Sequence, residues 1–210
     1  MSDLLPLFPL PNVVLFPNVF LPLHIFEPRY REMIADVLKS DRLIAMVLIQ
    51  PKWEANYEGR PPIFPIGCSG VITHVERLDD GRYNIVLRGV ERVRIVREDH
   101  ARRYRRAQVE SLTQTPLRAE DRDAIRRQRS KLEALLAPAV EKAGADPKTT
   151  AALADEDLVN ALGQYLDLDP LEKQALLEHD SLRTRAEALV ELLEMKIMIA
   201  RTPGLSNMAH

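Results

Sequence analysis

The adjacent residues Cys68 and Ser69 have the side chains best suited to nucleophilic chemistry in this chain. They stand in the sequence Gly-Cys-Ser-Gly, whose glycines favour a turn that exposes a thiolate, and His74 follows as a candidate base. Residues six apart on an extended segment share a face but lie far from each other, which disfavours direct proton transfer. A lone cysteine is more commonly a small buried apolar residue. A hydrolase built on these residues is therefore the least favoured of three functional hypotheses.

Signatures of known catalytic and metal sites are absent from the sequence. It contains no GxxxxGK[ST] phosphate loop, no GxGxxG turn, no GxSxG elbow and no HExxH zinc helix. The single cysteine excludes an intramolecular disulfide and a cysteine-only metal cluster. The histidines lack the spacing of metal ligands; they are His24, His74, His100, His179 and His210. We therefore expect no cofactor and no metal site, and we predict that the protein is not an enzyme.

Arginines form a second group of candidate residues. On a predicted strand over residues 83–96, Arg88, Arg92 and Arg94 occupy alternate positions, which places them on one face. Together with Arg103 this basic face could bind the phosphates of RNA. However, 29 basic and 31 acidic residues leave a formal net charge of −2, which gives no overall attraction to nucleic acid. A solvated face paired with nearby glutamates is the simpler interpretation, and RNA binding is kept as the alternative function.

The third group is the apolar opening of the chain, residues 4–34, which carries six prolines and four phenylalanines among leucines and valines. Proline fixes φ and removes a backbone donor, so the pattern predicts short extended pieces joined by rigid turns. A preformed apolar surface binds a polypeptide without a large ordering cost. The alternative is that the same residues fill the core. The candidate peptide-binding residues are Phe16, Phe20, Leu21, His24, Ile25 and Phe26.

The elements that position these residues change in character along the chain. A helix is predicted from Pro28, a buried strand over 43–49, and two long strands joined by the turn at Gly81, with a bend or bulge at Gly89. Beyond about Pro116 helix signals replace strand signals, and either Asp180 or Ser181 is predicted to cap the last helix.

This change in character predicts an α+β fold with three parts. A mainly β domain is expected over residues 1–115 and a helical domain over 116–203. A flexible tail is expected over 204–210. The start of the chain lacks the features of a signal peptide, and no apolar stretch is long enough to span a bilayer. We therefore expect a soluble cytoplasmic protein.

Several stretches of the sequence resemble the N-terminal substrate-binding domain of the ATP-dependent protease Lon. They are FPLPNVVLFP followed by HIFEPRY, the glycine pair in PIGCSG, LRGVERVRI, and the late segment beginning LVNALGQYLDLDPLEKQ. The resemblance covers nearly the whole chain. It implies a PUA-like mixed β pseudo-barrel with one short helix, followed by a C-terminal helical bundle subdomain, in agreement with the compositional change near residue 116.

The resemblance also implies a function. Such domains are implied to bind unfolded or exposed apolar polypeptide segments, or to act as adaptors in protein quality control beside a protease or chaperone partner. The sequence ends at residue 210 without the ATPase and protease modules of Lon. We therefore expect a stand-alone, non-enzymatic binding module.

Overall fold

The computed structural model describes residues 4–52, 59–112, 118–142 and 152–202. They belong to two compact units. The first unit consists of residues 1–113 and 160–178, and the second of residues 114–159 and 179–210. Residues 160–178 thus pack with the β-rich part of the chain. The predicted domain limits stay a prediction, and the predicted tail over 204–210 lies outside the described residues.

In the residues that the structure describes, the first unit contains six strands and three helical segments. The strands are β1 Leu5–Leu10, β2 Phe20–Ile25, β3 Leu43–Leu48, β4 Ile66–Arg77, β5 Tyr83–Asp99 and β6 Arg105–Ser111. Its helices are α1 Pro28–Val37, the end of α3 Asp155–Tyr165, and α4 Pro170–Glu178. Helix α1 begins with Pro28 in its first turn, as the sequence predicts.

The strands form one mixed sheet in the order β2-β5-β4-β3-β1-β6. The pairing of β1 with β3 is parallel, and all the other strand pairings are antiparallel. Strand β5 is long enough to have β4 on one edge and two strands in succession on the other, β2 and then β6. The additional β5–β6 pairing closes β5, β4, β3, β1 and β6 into a ring and, among the described strands, leaves β2 paired with β5 alone. The predicted α+β class is confirmed.

A β-bulge divides β5 into these two halves. Gly89 pairs with Gly70 and Glu91 pairs with Ser69, which leaves Val90 as an extra residue opposite β4. The bulge predicted at Gly89 is therefore present at the next position.

The core of the first unit consists of two apolar clusters on opposite faces of the sheet. Because side chains alternate along β3, Met46 enters the larger cluster and Val47 the smaller one. The larger cluster packs against the apolar face of α1, which buries Tyr30, Met33, Ile34 and Val37. Cys68 lies in the same cluster and is completely buried.

The second unit is helical and is described by α2 Ala119–Lys142, the start of α3, and α5 Leu182–Arg201. Ser181 caps α5, because its hydroxyl accepts a hydrogen bond of 3.1 Å from the amide of Thr184. Arg129 on α2 donates to the carboxylate of Asp155 at 2.8 Å and thereby ties α2 to the beginning of α3. Among the described residues, no helix is long and apolar enough to cross a membrane.

Candidate functional site

The structure does not assemble the residues of the hydrolase hypothesis. The thiol of Cys68 is buried and donates to the Ser69 carbonyl at 3.3 Å. The Ser69 hydroxyl donates to the carbonyl of Glu91 at 3.2 Å, while His74 is exposed further along β4. Within the described parts of the chain, no group of three or more His, Cys, Asp or Glu side chains could hold a metal ion.

The predicted basic face is corrected by the bulge in β5. Arg88 pairs with Val71 on β4, whereas Arg92 pairs with Cys68, and these two partners are three residues apart. An odd separation along a strand means opposite faces, so Arg88 and Arg92 point to opposite sides of the sheet. Strict alternation of side chains along β5 predicts that Arg88 and Arg92 share a face, because it does not allow for the extra residue Val90. The face composed of Arg88, Arg92 and Arg94 is therefore not formed.

Arg92 instead has a structural role that the sequence analysis missed. The residue is only 4% exposed, and its guanidinium donates to the carbonyl of Leu177 at 3.1 Å. This carbonyl lies in the last turn of α4, where a positive charge is favoured by the helix dipole. Gln174 on the same helix donates to the carbonyl of Ile66 at 2.9 Å. Together these bonds fix α4 to strands β4 and β5.

Arg94 and Arg103, the other two arginines of the predicted face, are both exposed but have different neighbours. Arg94 is 3.9 Å from the carboxylate of Glu110 in an exposed ion pair. Arg103 lies in the turn before β6, in the wall of a pocket that also contains Arg29 from helix α1.

Two of the six candidate peptide-binding residues, Phe16 and Ile25, are core residues. Phe16 is completely buried, its amide donates to the side chain of Gln164 at 3.1 Å, and its ring lies against Gly163. Ile25 is 1% exposed because it points from β2 into the larger core cluster. Leu21 also packs against that cluster and is only partly exposed. These three side chains pack inside the first unit and anchor β2 and the segment before it.

The remaining candidates, Phe20, His24 and Phe26, are exposed. Phe20 is 49% exposed and Phe26 is 60% exposed. Phe20 and His24 alternate with the core-facing residues of β2 and therefore share the outer face of the sheet. The ring of Phe26, which follows the strand, is stacked near His24 with centroids 6.2 Å apart.

The neighbouring strand extends this outer surface. Pro22 is paired with Val86 on β5, and His24 is paired with Asn84. We refer to the exposed apolar surface made by Phe20, Pro22, His24, Phe26 and Val86 as the β2 face. A shallow open depression of about 390 Å³ lies on it between β2, β5 and β4.

A polar network closes one end of the depression. His24 Nδ1 lies 2.7 Å from Asn84 Oδ1, and the Asn84 amide donates to the carboxylate of Glu76 at 2.7 Å. A guanidinium nitrogen of Arg82 lies 3.2 Å from His24 Nε2. Since the Asn84 oxygen accepts and the Arg82 guanidinium donates, this geometry suits the His24 tautomer whose ring hydrogen is on Nδ1. The backbone of Arg82 and then its side chain donate to Asp80, which lowers the pKa of that carboxyl group.

The open edge of β2 is poorly suited to pairing with another strand. Pro22 has no N–H group to donate. The carbonyl of Phe20 accepts a hydrogen bond of 2.9 Å from the hydroxyl of Tyr165, which is itself 66% exposed. A polypeptide on this surface would therefore be held mainly by side-chain contacts. Tyr165 could not be recognised from the sequence, because nothing local connects it to Phe20, 145 residues away.

Comparison with known proteins gives one consistent relationship. The family model described as ATP-dependent protease La (LON) substrate-binding domain matches residues 4–195. Lon protease 2 of Desulfotalea psychrophila is 26% identical over 210 residues, which are 99% of this chain and 27% of that protein. Lon protease 2 of Syntrophobacter fumaroxidans is 28% identical over 182 residues, which are 85% of this chain and 22% of that protein. The chain thus spans about a quarter of the length of these curated relatives.

Solved structures show the same fold. The N-terminal domain of Mycobacterium avium complex Lon protease aligns with a TM-score of 0.73 at 17% identity, covering 91% of this chain and 98% of that one. The Lon N-terminal domain protein from Xanthomonas campestris aligns with a TM-score of 0.60 at 22% identity, covering 90% and 98% respectively. Because the family model matches nearly the whole sequence, the chain belongs to the Lon substrate-binding domain family, as its sequence resemblance indicated.

Proposed function

We propose that the protein binds unfolded polypeptide segments with exposed apolar side chains, and that the β2 face is its contact surface. The observation that carries this proposal is the exposure of Phe20 and Phe26, 49% and 60%, at the beginning and directly after the end of a strand whose other face packs on the core. Membership of a substrate-binding family supports a polypeptide ligand. In this proposal the domain delivers the segment to ATP-dependent proteolysis in the cytoplasm, either directly or as an adaptor to a protease or chaperone partner.

The β2 face is rigid, which favours binding. Strand β2 is paired with β5 from Phe20 to Ile25, and Leu21 and Leu23 pack against the core beneath it. The exposed rings therefore lose little freedom when a ligand covers them, and the ordering cost falls mainly on the ligand.

The size of the surface predicts weak binding of broad specificity. Each half-exposed ring presents about 100 Å² of apolar surface. Covering both contributes about 5 kcal/mol at about 25 cal/mol per Å². Association itself costs at least about 4 kcal/mol, so contacts with Pro22, Val86 and Tyr165 are needed to reach micromolar affinity. Such binding suits the transient capture of many different unfolded segments.

Fluorescence anisotropy with a labelled, unfolded apolar peptide tests the proposal. The variant Phe20→Ser removes about 2.5 kcal/mol of apolar contact and is expected to weaken binding at least about tenfold. Val96→Ser is the matched control, because Val96 is 56% exposed on the distant half of β5. Absence of saturable binding to the wild type, or equal losses in the two variants, would contradict the proposal.

RNA binding through Arg88, Arg92 and Arg94 is not proposed as a second function. The bulge in β5 separates Arg88 from the other two residues, and Arg92 is engaged by the end of α4. No common surface of these three side chains is available to a phosphate backbone.

A further inference from the structure

We infer that the first unit carries a separate site for phosphoryl anions, in a pocket between helix α1 and the turn that precedes β6. The pocket has a cavity volume of about 170 Å³. It is lined by four arginines and two tyrosines, among other residues. These residues, which we call the arginine pocket, are Arg29, Arg60, Arg103, Arg105, Tyr30 and Tyr104.

Three of the four arginines are held in fixed positions. Arg105 donates to the carboxylate of Glu98 at 2.7 Å and to the carbonyl of Pro61 at 2.6 Å. Arg60 donates to two backbone carbonyls of the segment 99–102, at 3.5 and 3.4 Å. Arg29 donates to Glu27 at 2.9 Å, and its guanidinium carbon lies 4.6 Å from the centre of the Tyr30 ring. The wall is therefore organised before any ligand arrives.

Within the described residues, the wall contains more arginines than carboxylates paired with them. Glu27 pairs with Arg29, and Glu98 pairs with both Arg60 and Arg105. Arg103 is exposed and makes no hydrogen bond or ion pair with any residue that the structure describes. Among the described residues, the ion pairs of this wall thus join three of its four arginines to two carboxylates, and positive charge predominates there. Such a concentration of charge is relieved by a bound anion.

The arrangement of the arginines favours a phosphoryl group over a carboxylate. A single guanidinium fork satisfies a planar carboxylate by two parallel hydrogen bonds. Here the arginines come from three separate parts of the chain, namely α1, the segment 59–61 and the segment 103–105, and all of them line the cavity. A tetrahedral group with three or four acceptor oxygens can use donors from several directions at once. Inorganic phosphate, a short polyphosphate and the phosphates of a nucleotide all have this chemistry.

Isothermal titration of the full chain at low salt with inorganic phosphate, tripolyphosphate and ATP tests the inference. We expect saturable binding that Arg103→Gln weakens about five- to tenfold, because one charge-assisted contact is lost. Arg88→Gln is the matched control and is expected to leave the affinity unchanged. Arg88 is also exposed and without a hydrogen bond or ion pair among the described residues, so both variants remove the same charge.

The outcomes separate the ligands and decide the inference. Similar affinities for tripolyphosphate and ATP would assign the site to the phosphate chain, whereas much tighter binding of ATP would assign it to a nucleotide, and both support a phosphoryl site. No saturable binding, equal weakening by Arg103→Gln and Arg88→Gln, or full competition by equimolar acetate would overturn it. Peptide binding at the β2 face is measured separately, so failure of one site leaves the other proposal intact.

Discussion

Replacing Gly89 by alanine tests how the bulge in β5 holds residues 16–19, the segment that precedes β2. A methyl group at this position would overlap the carbonyl oxygen of Phe16 and lie 3.2 Å from the Cα atom of Pro17. These are backbone atoms, so the overlap is relieved only if the chain itself moves. Such movement disrupts two hydrogen bonds, from the Gly89 amide to the Val19 carbonyl at 2.9 Å and from the Asn18 amide to the Gly89 carbonyl at 3.0 Å.

The expected loss of stability is large for a single methyl group. Two backbone hydrogen bonds contribute about 1 kcal/mol each, and packing strain against backbone adds about 2 kcal/mol. We therefore expect the free energy of unfolding to fall by about 4 kcal/mol in Gly89→Ala. With a denaturant dependence of about 2.5 kcal/mol per molar urea, the midpoint should fall by about 1.6 M.

Urea unfolding followed by far-ultraviolet circular dichroism measures this shift. Val90→Ala is the control, because the neighbouring residue is 39% exposed and its truncation is expected to change stability by less than about 0.5 kcal/mol. A Gly89→Ala midpoint within about 0.3 M of the wild type, with the same slope, would refute the proposed close approach of the two backbones.

Two further substitutions test interactions that position the same unit. Arg92→Met leaves the carbonyl at the end of α4 without its buried donor and should cost about 2 kcal/mol in thermal unfolding, whereas exposed Arg94→Met should cost less than about 0.5 kcal/mol. Burial, and then the hydrogen bond to Asp36, raise the pKa of Tyr104, so its contribution to stability is present below pH 10 and lost as the pH rises through the folded-state pKa. Tyr104→Phe should therefore be less stable than the wild type at pH 7, and this difference should disappear in unfolding curves measured above that pKa. A difference that stays constant across this range would contradict the assigned hydrogen bond.

Much of the fold could be predicted because its signals are local. Pro28 begins α1, Ser181 caps α5, and the bulge next to Gly89 lies where the length of β5 indicated a break. The α+β class follows from the change from strand patterns to helix patterns along the chain. The buried state of Cys68 agrees with the ordinary behaviour of a lone cysteine.

The candidate site was only partly predictable because burial depends on distant residues. Phe16 and Phe20 are similar in local sequence, yet Phe16 is covered by residues near Gln164, 148 positions away. The bulge at Val90 changes which face every later side chain of β5 occupies, and alternation alone cannot reveal that change. The sequence also did not indicate that Arg103 lies in one pocket with Arg29, because these residues are distant along the chain and only the fold brings them together.

Chemical-shift mapping during titration with an unfolded apolar peptide locates the contact surface residue by residue and so tests whether peptide binds at the β2 face. We predict that the largest amide shifts fall on residues 20–26, in β2 and directly after it, and on residues 84–86 of β5, and that Phe20→Ser reduces them. The chief competing surface is the exposed apolar end of α5, where Met195 is 45% exposed and Met198 is 57% exposed. Shifts confined to residues 192–199, with β2 unchanged, would contradict the assignment of peptide binding to the β2 face.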